Sequence, residues 1–241
     1  MSLIKIVLSV LLTFPPYYLD KETKTERSDR METIAMAVVS VADQATCQED
    51  FKSTKEKKCT KFWHGSRDSL IALLLTQGFN ESRFSKNVHE GKCKKYECDP
   101  YKDRNGEIVH RARTSWQIQQ HLHSEKYWDS MVGVTYQPTR IAAGVAATIL
   151  FNSYSKCKGV KGAIAMYATG QHCSWVRKVP KGTAKKNKIT CKEKSKDKKE
   201  YDCIDEAQNR VDFYRMTLNK IKVRKSPKKT KTKHGRSDRK N

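Results

Sequence analysis

A run of six residues, 70–75 (LIALLL), is apolar on nearly every side of a predicted helix. A surface helix has one apolar stripe, whereas a helix that is apolar all round has to be enclosed by other elements. Ser66 is placed to cap the N-terminus of this helix, with Asp68 in its first turn. Gly78 lowers the helix propensity near its C-terminal end. The chain is therefore expected to fold as a domain built around one central helix.

Other segments have the apolar spacing of helices and can supply the surrounding layer. They are residues 31–42, 139–154, 160–169 and 204–221. Asn105-Gly106 indicates the turn of a short hairpin, and Gly170 is a candidate C-cap. Together these patterns predict a mostly α fold, or an α+β fold with a minor β-hairpin.

Charge and apolar content divide the chain into segments. Residues 1–30 contain an apolar stretch (IVLSVLLTF) followed by a charged linker, and are interpreted as a signal or anchor segment. The alternative is an apolar N-terminus of a protein exported in another way. Residues 31–223 are predicted to form one domain with a basic insert at 178–200, followed by a basic, disordered tail at 224–241.

The formal net charge of +23 is concentrated in two places. Residues 178–199 hold ten lysines and residues 220–241 hold eleven basic residues, which together are 21 of the 49 Lys and Arg residues. Such clusters predict a polyanionic partner, either an anionic surface such as a cell wall or nucleic acid. No stacking platform or recognition-helix pattern accompanies the lysines. A solvated tail without a partner is the simpler alternative.

The chain has eight cysteines, an even number that favours disulfides formed in an oxidising compartment. Two pairings are hypotheses from position: Cys93 with Cys98 would close a short loop, and Cys191 with Cys203 would join the basic insert to the domain. Zinc is the alternative, but no C-x-x-C pair occurs and His89 with Cys93 and Cys98 matches no common site. We therefore expect no metal and no cofactor.

Glu81 lies where the apolar helix gives way to polar chain. A carboxyl group held partly dry, at the negative C-terminal end of a helix, is favoured in its protonated form and can donate a proton near neutral pH. Cleavage of a glycosidic bond requires such a donor, because the leaving oxygen is protonated as positive charge develops on the sugar. The alternative is an ordinary surface glutamate at a helix end.

Three motifs follow one another along the chain: E-S-R-F at 81–84, A-R-T-S-W-Q-I at 112–118 and A-I-A-M-Y-A-T-G at 163–170. Their order resembles the lysozyme-like fold of the soluble lytic transglycosylases, which are akin to goose-type lysozymes. The resemblance covers about residues 70–175. It implies that Glu81 is the catalytic acid and base.

The resemblance also implies a substrate groove. Gln117 would line it, and Tyr167 would face the catalytic carboxylate. Ser82, Trp116 and Gln119 complete the candidate substrate-binding set. Structural alternatives exist, because Gln117 could bond to backbone in a turn, Tyr167 could be a core aromatic, and Trp116 could be core or a platform that stacks on a sugar.

A lytic transglycosylase needs only this one carboxyl group, which afterwards takes a proton from the sugar's own 6-hydroxyl to give a 1,6-anhydro product. An inverting hydrolase needs a second carboxylate about 6.5–9.5 Å away, for which Glu90, Asp99 and Asp103 are candidates. The resemblance favours the transglycosylase.

We therefore predict a monomeric enzyme that cleaves the glycan strands of peptidoglycan between N-acetylmuramic acid and N-acetylglucosamine. It would be secreted or held in the periplasm or cell envelope, with no transmembrane domain beyond the N-terminal segment. Its basic segments would bind an anionic wall polymer in preference to nucleic acid. The alternative is not an enzyme but a binding protein, which would bind glycan or nucleic acid on the same scaffold without cleaving it.

Overall fold

A computed structural model of the chain describes residues 1–47, 62–119, 128–180, 189–190 and 201–226. Within these ranges the fold is mostly α, which confirms the predicted class. Its α-helices are α1 (Leu3–Leu11), α2 (Lys24–Thr46), α3 (Arg67–Ser82), α4 (Lys86–His89), α5 (Tyr136–Cys157), α6 (Val160–Thr169) and α7 (Glu206–Lys225). A 3-10 helix at Asp129–Met131 precedes α5.

The strands are short and antiparallel. They are β1 (Pro100–Lys102), β2 (Ile108–His110), β3 (Ala112–Arg113), β4 (Ile118–Gln119), β5 (Val176–Pro180), β6 (Ile189–Thr190) and β7 (Tyr201–Asp205). β1 pairs with β2 and β3 pairs with β4, while the third sheet has the order β5-β7-β6. The β1–β2 pair is the hairpin predicted around Asn105-Gly106, with Tyr101 opposite Val109.

The helix predicted to be central is α3. Ser66 caps it, because its Oγ accepts a hydrogen bond from Ser69 N at 3.1 Å. Residues 70–78 are buried, and α3 packs against α2, α5 and α7. Gly78 lies within the helix, and a side chain there would collide with the Phe84 ring. This glycine therefore lets the chain that follows α3 fold back onto it.

The apolar N-terminal segment is part of the core. Its side chains Ile6, Val7, Val10, Leu11 and Phe14 are buried, and α1 packs on α2 and α7. The structure has no boundary at residue 31, because α2 begins in a capping box at Thr23 and runs through that position. Residues 1–30 thus belong to the helical domain, and their role as a signal or anchor segment stays a prediction.

Part of the predicted basic insert forms regular structure. Lys178 lies in β5 opposite Cys203 of β7, and residues 189–190 form β6 on the other side of β7. The lysines had suggested a solvated segment, but the apolar and β-branched residues between them can pair with β7. The other residues of the insert, 181–188 and 191–200, lie outside the described residues.

The start of the predicted tail also differs from the expectation. Arg224 and Lys225 belong to α7, where Arg224 Nη1 donates to Ser9 Oγ at 2.6 Å and Lys225 Nζ lies 2.6 Å from Asp68 Oδ1. These contacts fasten the end of α7 to α1 and to the first turn of α3. Residues 227–241 lie outside the described residues.

Disulfides join loops to the helical domain. The predicted Cys93–Cys98 pair is confirmed. A second disulfide, Cys157–Cys173, links the end of α5 to the segment after α6 and was not predicted. Cys203 is also disulfide-bonded, but its predicted partner Cys191 lies outside the described residues. These disulfides fit a protein formed in an oxidising compartment.

None of the helices in the described ranges combines the length and the apolar composition that a membrane span requires.

Candidate functional site

A cleft passes the C-terminal end of α3. It consists of two hollows with volumes of about 160 Å³ and about 290 Å³. Glu81, Asp99 and Gln117 line both of them. Because the hollows share these residues, they adjoin at Glu81 and count as one cleft.

Most of the residues predicted for the site meet in this cleft. Gln119 and Tyr167 line the first hollow beside Glu81 and Gln117. Ser82 lines the second hollow, together with residues such as Tyr17 and Tyr96 that the sequence did not single out. Trp116 lines neither. Five of the six candidate residues are thus brought together by the fold.

Glu81 is positioned by the last turn of α3. Its side chain is 18% exposed, and Oε1 accepts a hydrogen bond from Nη1 of Arg210 on α7. A guanidinium in direct contact forms a charge-assisted hydrogen bond with a carboxylate oxygen. The sequence predicted an acid at this position without a partner, and the structure places a cation beside it. No spacing signal could have revealed that partner, because it lies 129 positions further along the chain.

Arg210 is held from several directions. Its side chain is 11% exposed, and Nη1 also lies 3.2 Å from Oε1 of the buried Gln77. Its guanidinium lies over the ring of Trp175, with Cζ 4.7 Å from the centroid. A cation above an aromatic ring is attracted to the face of the ring, and this attraction is stronger where water is excluded. Arg210 is therefore a fixed neighbour of Glu81 and was missed by sequence reasoning.

Tyr167 connects α6 to the site. Its hydroxyl donates to the backbone oxygen of Trp116 at 2.9 Å. Burial raises the pKa of Tyr167 well above its usual value, the charge of Glu81 adds to this, and Arg210 opposes it. The tyrosine is therefore neutral at any ordinary pH, and its position facing Glu81 agrees with the role that the resemblance implied.

Gln117 lies in the turn between β3 and β4. Its φ of 49° is left-handed, and its Nε2 donates to the backbone oxygen of Thr114 at 3.1 Å. The amide therefore braces the turn, as the structural alternative supposed, and Gln117 also lines the cleft. Gln119 follows in β4 and lines the first hollow.

Trp116 requires a correction. It is fully buried, its Nε1 donates to the backbone oxygen of Leu74 at 2.9 Å, and its ring meets that of Phe84 edge to face. A ring with no exposed face cannot stack on a sugar. Trp116 is a core residue that anchors the turn between β3 and β4 to α3, and the prediction that it binds substrate is wrong.

Ser82 links two of the sequence motifs. Its Oγ donates to the backbone oxygen of Ser115 at 2.8 Å and accepts from Phe84 N at 3.1 Å. This bridge joins the end of α3, directly after Glu81, to the turn that carries Gln117. Ser82 lines the second hollow, but its hydrogen bonds indicate that it holds the walls of the cleft in position.

Of the three candidates for a second carboxylate, Asp99 alone lines the cleft. Glu90 forms an ion pair with Lys92 at 3.1 Å. Asp103 accepts hydrogen bonds from the backbone of the β1–β2 turn. Asp99 is therefore the group that could activate a water molecule near Glu81.

Comparisons of the chain with protein-family models, with curated proteins and with solved structures gave no match. The support for a function therefore comes from the geometry of the cleft and from the motifs that line it.

Proposed function

We propose that the chain is a lysozyme-like enzyme that cleaves the glycan strands of peptidoglycan, with Glu81 as its acid and base. The observation that carries the proposal is the position of Glu81, a partly buried carboxyl group where two hollows of one cleft meet. A polymer lying along such a cleft would pass Glu81 at an internal bond. An enzyme that cuts within a strand needs this arrangement.

The chemistry assigns Glu81 two steps. In the first, its neutral form gives a proton to the glycosidic oxygen, and the bond from that oxygen to the anomeric carbon breaks. In the second, the carboxylate takes a proton from an attacking hydroxyl group. If the attacker is the 6-hydroxyl of the same sugar, the product is a 1,6-anhydro sugar; if it is water, the product is a reducing end.

The transglycosylase route is favoured by the resemblance and needs no second carboxylate. The hydrolase route gains support from Asp99, which lines both hollows beside Glu81. Mass spectrometry of the muropeptides released by the wild type separates the two, because only the transglycosylase leaves anhydro ends.

Substitution of the acid tests the proposal. Glu81→Gln keeps the size of the side chain and removes the proton, so glycan cleavage should fall by about 10²- to 10⁴-fold. Release of soluble muropeptides from purified peptidoglycan measures it. Glu90→Gln is the matched control, because Glu90 lines neither hollow, and it should retain wild-type activity. Full activity of Glu81→Gln would overturn the proposal.

A non-catalytic glycan-binding protein is the second candidate, and the Glu81–Arg210 ion pair favours it. A carboxylate neutralised by a buried guanidinium is typical of a structural contact. In that case the wild type would bind glycan strands without releasing muropeptides.

Secretion and wall attachment are further parts of the proposal. Disulfides and a peptidoglycan substrate would both be consistent with a location outside the reducing cytoplasm, and the disulfides support this part of the proposal. The basic segments would hold it on an anionic wall polymer, with nucleic acid as the alternative polyanion.

A further inference from the structure

Two tyrosines that the proposed reaction does not use line the second hollow of the cleft. They are Tyr17, from the segment before α2, and Tyr96, from the loop between Cys93 and Cys98. Tyr96 is 84% exposed, and Tyr17 is partly buried. A tyrosine combines an apolar ring with a polar tip, so it suits a ligand that is apolar on one face and polar at its edge.

We propose that Tyr17 and Tyr96 form a subsite that binds one N-acetylhexosamine unit of the glycan strand beside Glu81. The proposal rests on the proposed function and adds to it the aromatic substrate contact that the buried Trp116 cannot make. The faces of a pyranose ring carry C–H groups that pack on an aromatic ring, while its hydroxyl groups lie at the edge. A sugar in the second hollow neighbours Glu81, because Glu81 lines that hollow.

The backbone at Tyr17 is held by hydrogen bonds that lead to the end of α3. Its carbonyl oxygen accepts from Asp20 N at 3.0 Å. The Asp20 carboxylate accepts from Ser85 Oγ at 2.9 Å and from Lys86 N at 2.8 Å, and the Asp20 side chain is 2% exposed. A ring that is already held in place loses little conformational entropy when a ligand binds.

The loop that carries Tyr96 is closed by a disulfide and by a turn. Cys93 and Cys98 join its two ends. Within it, Lys94 N donates to Glu97 Oε2 at 2.8 Å, and Glu97 N donates to the backbone oxygen of Lys94 at 2.9 Å. Tyr96 is therefore exposed on a loop whose backbone is constrained, which is the arrangement that a preformed binding site requires.

The two segments that carry the tyrosines also contact each other. Lys94 Nζ donates to the backbone oxygen of Leu19 at 3.3 Å. Burial raises the pKa of the Tyr17 phenol, and the charge of Glu97 acts in the same direction. The phenol is therefore neutral and keeps its O–H group as a hydrogen-bond donor. Because Glu97 directly follows Tyr96, the two tyrosines belong to one local surface.

The charges in the second hollow favour an uncharged ligand. Among the described residues that line it, Glu81, Glu97 and Asp99 are acidic and Arg83 is basic. Nucleic acid bases also stack on tyrosine rings, but the phosphates of a strand would be repelled by these carboxylates. N-acetylhexosamine units carry no charge. The hollow of about 290 Å³ is near the lower limit of small-molecule sites, about 300 Å³, which suits one sugar unit.

The experiment measures binding of the N-acetylglucosamine tetramer to the full chain by isothermal titration calorimetry. Every variant also carries Glu81→Gln, so that the probe is not cleaved during the titration. Tyr96→Ala and Tyr17→Ala should each raise the Kd by about tenfold, as expected for loss of an aromatic anchor. Tyr96→Phe keeps the ring and should bind with nearly the Kd of Glu81→Gln alone.

Tyr136→Ala is the matched control. Tyr136 is an exposed tyrosine at the start of α5 that lines neither hollow, so its variant should keep the Kd of Glu81→Gln alone. Tyr96 decides the outcome if Tyr17→Ala does not fold, because its exposed side chain can be removed without opening the core. An unchanged Kd in Tyr96→Ala, an equal loss in the control, or no binding of the tetramer to Glu81→Gln overturns the proposal.

Binding and cleavage can fail separately. If the tetramer binds through Tyr96 but the wild type releases no muropeptides, the subsite stands and the proposed enzyme fails. If Glu81→Gln abolishes cleavage but Tyr96→Ala leaves the Kd unchanged, only this inference fails. A thymidine octamer is titrated in parallel. If Tyr96→Ala weakens binding of the octamer and not of the tetramer, the hollow is a nucleic-acid site and the proposal is overturned.

Discussion

Gln117 illustrates how a single residue shapes the cleft. The left-handed backbone at this position allows its amide to brace the turn through Thr114, while the same side chain lines both hollows. A substitution that shifted this turn would therefore also move the wall of the cleft. Ser82 has a comparable effect, because its hydroxyl holds the turn against the end of α3.

His89 is another residue whose surroundings have a measurable consequence. It is buried, and Nε2 lies 2.8 Å from Thr139 Oγ1. Its Nδ1 has no hydrogen-bond partner among the described residues. Burial lowers the pKa of His89 to about 3, and the charge of Arg30 acts in the same direction. The folded protein therefore holds this ring neutral.

His89 should make the folded protein sensitive to acid. The unfolded chain protonates it near pH 6.5, whereas the folded chain does so only near pH 3, so stability is fully present above about 6.5 and falls as pH drops toward 3. The slope from this group is at most about 1.4 kcal/mol per pH unit. Urea unfolding at several pH values measures it.

His89→Gln should remove that contribution to the slope, although it lowers stability at neutral pH. His172 is exposed, and His172→Gln is the control that should keep the wild-type slope. Equal slopes for wild type and His89→Gln would contradict the prediction.

At the level of elements, local sequence patterns predicted some helices and strands, whereas other elements depend on contacts between distant parts of the chain. The all-round apolar run at 70–75 predicted the burial of α3, and Asn105-Gly106 predicted the β1–β2 hairpin. The β5-β7-β6 sheet was missed, because lysines dominate the composition of that region. Arg210 was missed for a different reason. Its contact with Glu81 forms between two helices that are distant in the sequence, so it exists only once these helices have packed together.

The first helix also shows the limit of local patterns. Its apolar residues were interpreted as a signal or anchor segment, because the sequence cannot distinguish an apolar stretch that is exported from one that fills a core. The structure places Val10 of α1 at zero exposure and Leu12 at 40%. The difference between these neighbours provides a test.

Val10→Ala should lower the free energy of unfolding by about 2 kcal/mol, because it removes buried methyl groups and leaves a cavity. Leu12→Ala is the control and should cost about 0.5 kcal/mol or less. Urea unfolding of the full chain measures both. If the two substitutions have the same small effect, α1 does not pack into the core in solution.

At the level of the whole molecule, positive charge is concentrated in the last fifteen residues of the sequence. Residues 227–241 contain seven Lys and Arg residues and one Asp, and they follow α7, whose first half carries Arg210. A positively charged segment attracts a polyanion over a distance set by the Debye length, about 8 Å at physiological salt. Attachment to the wall and cleavage of the strand would then depend on different parts of the chain.

Deletion of 227–241 should weaken pelleting with isolated cell walls at low salt and have little effect at high salt, where the charges are screened. A chain of full length with these seven basic residues replaced by Gln is the matched variant and should behave like the deletion. Both should release muropeptides from soluble glycan at the wild-type rate. Undiminished pelleting of either variant at low salt would contradict the prediction.

The enclosure of α3 has a mechanical consequence. A buried helix opens by local fluctuation less readily than an exposed one, so the backbone that carries Glu81 is joined to a well-enclosed segment. This backbone is therefore expected to hold its position as a polymer passes. Adaptation to the shape of the strand is then expected from the sugars and from the surface loops that border them.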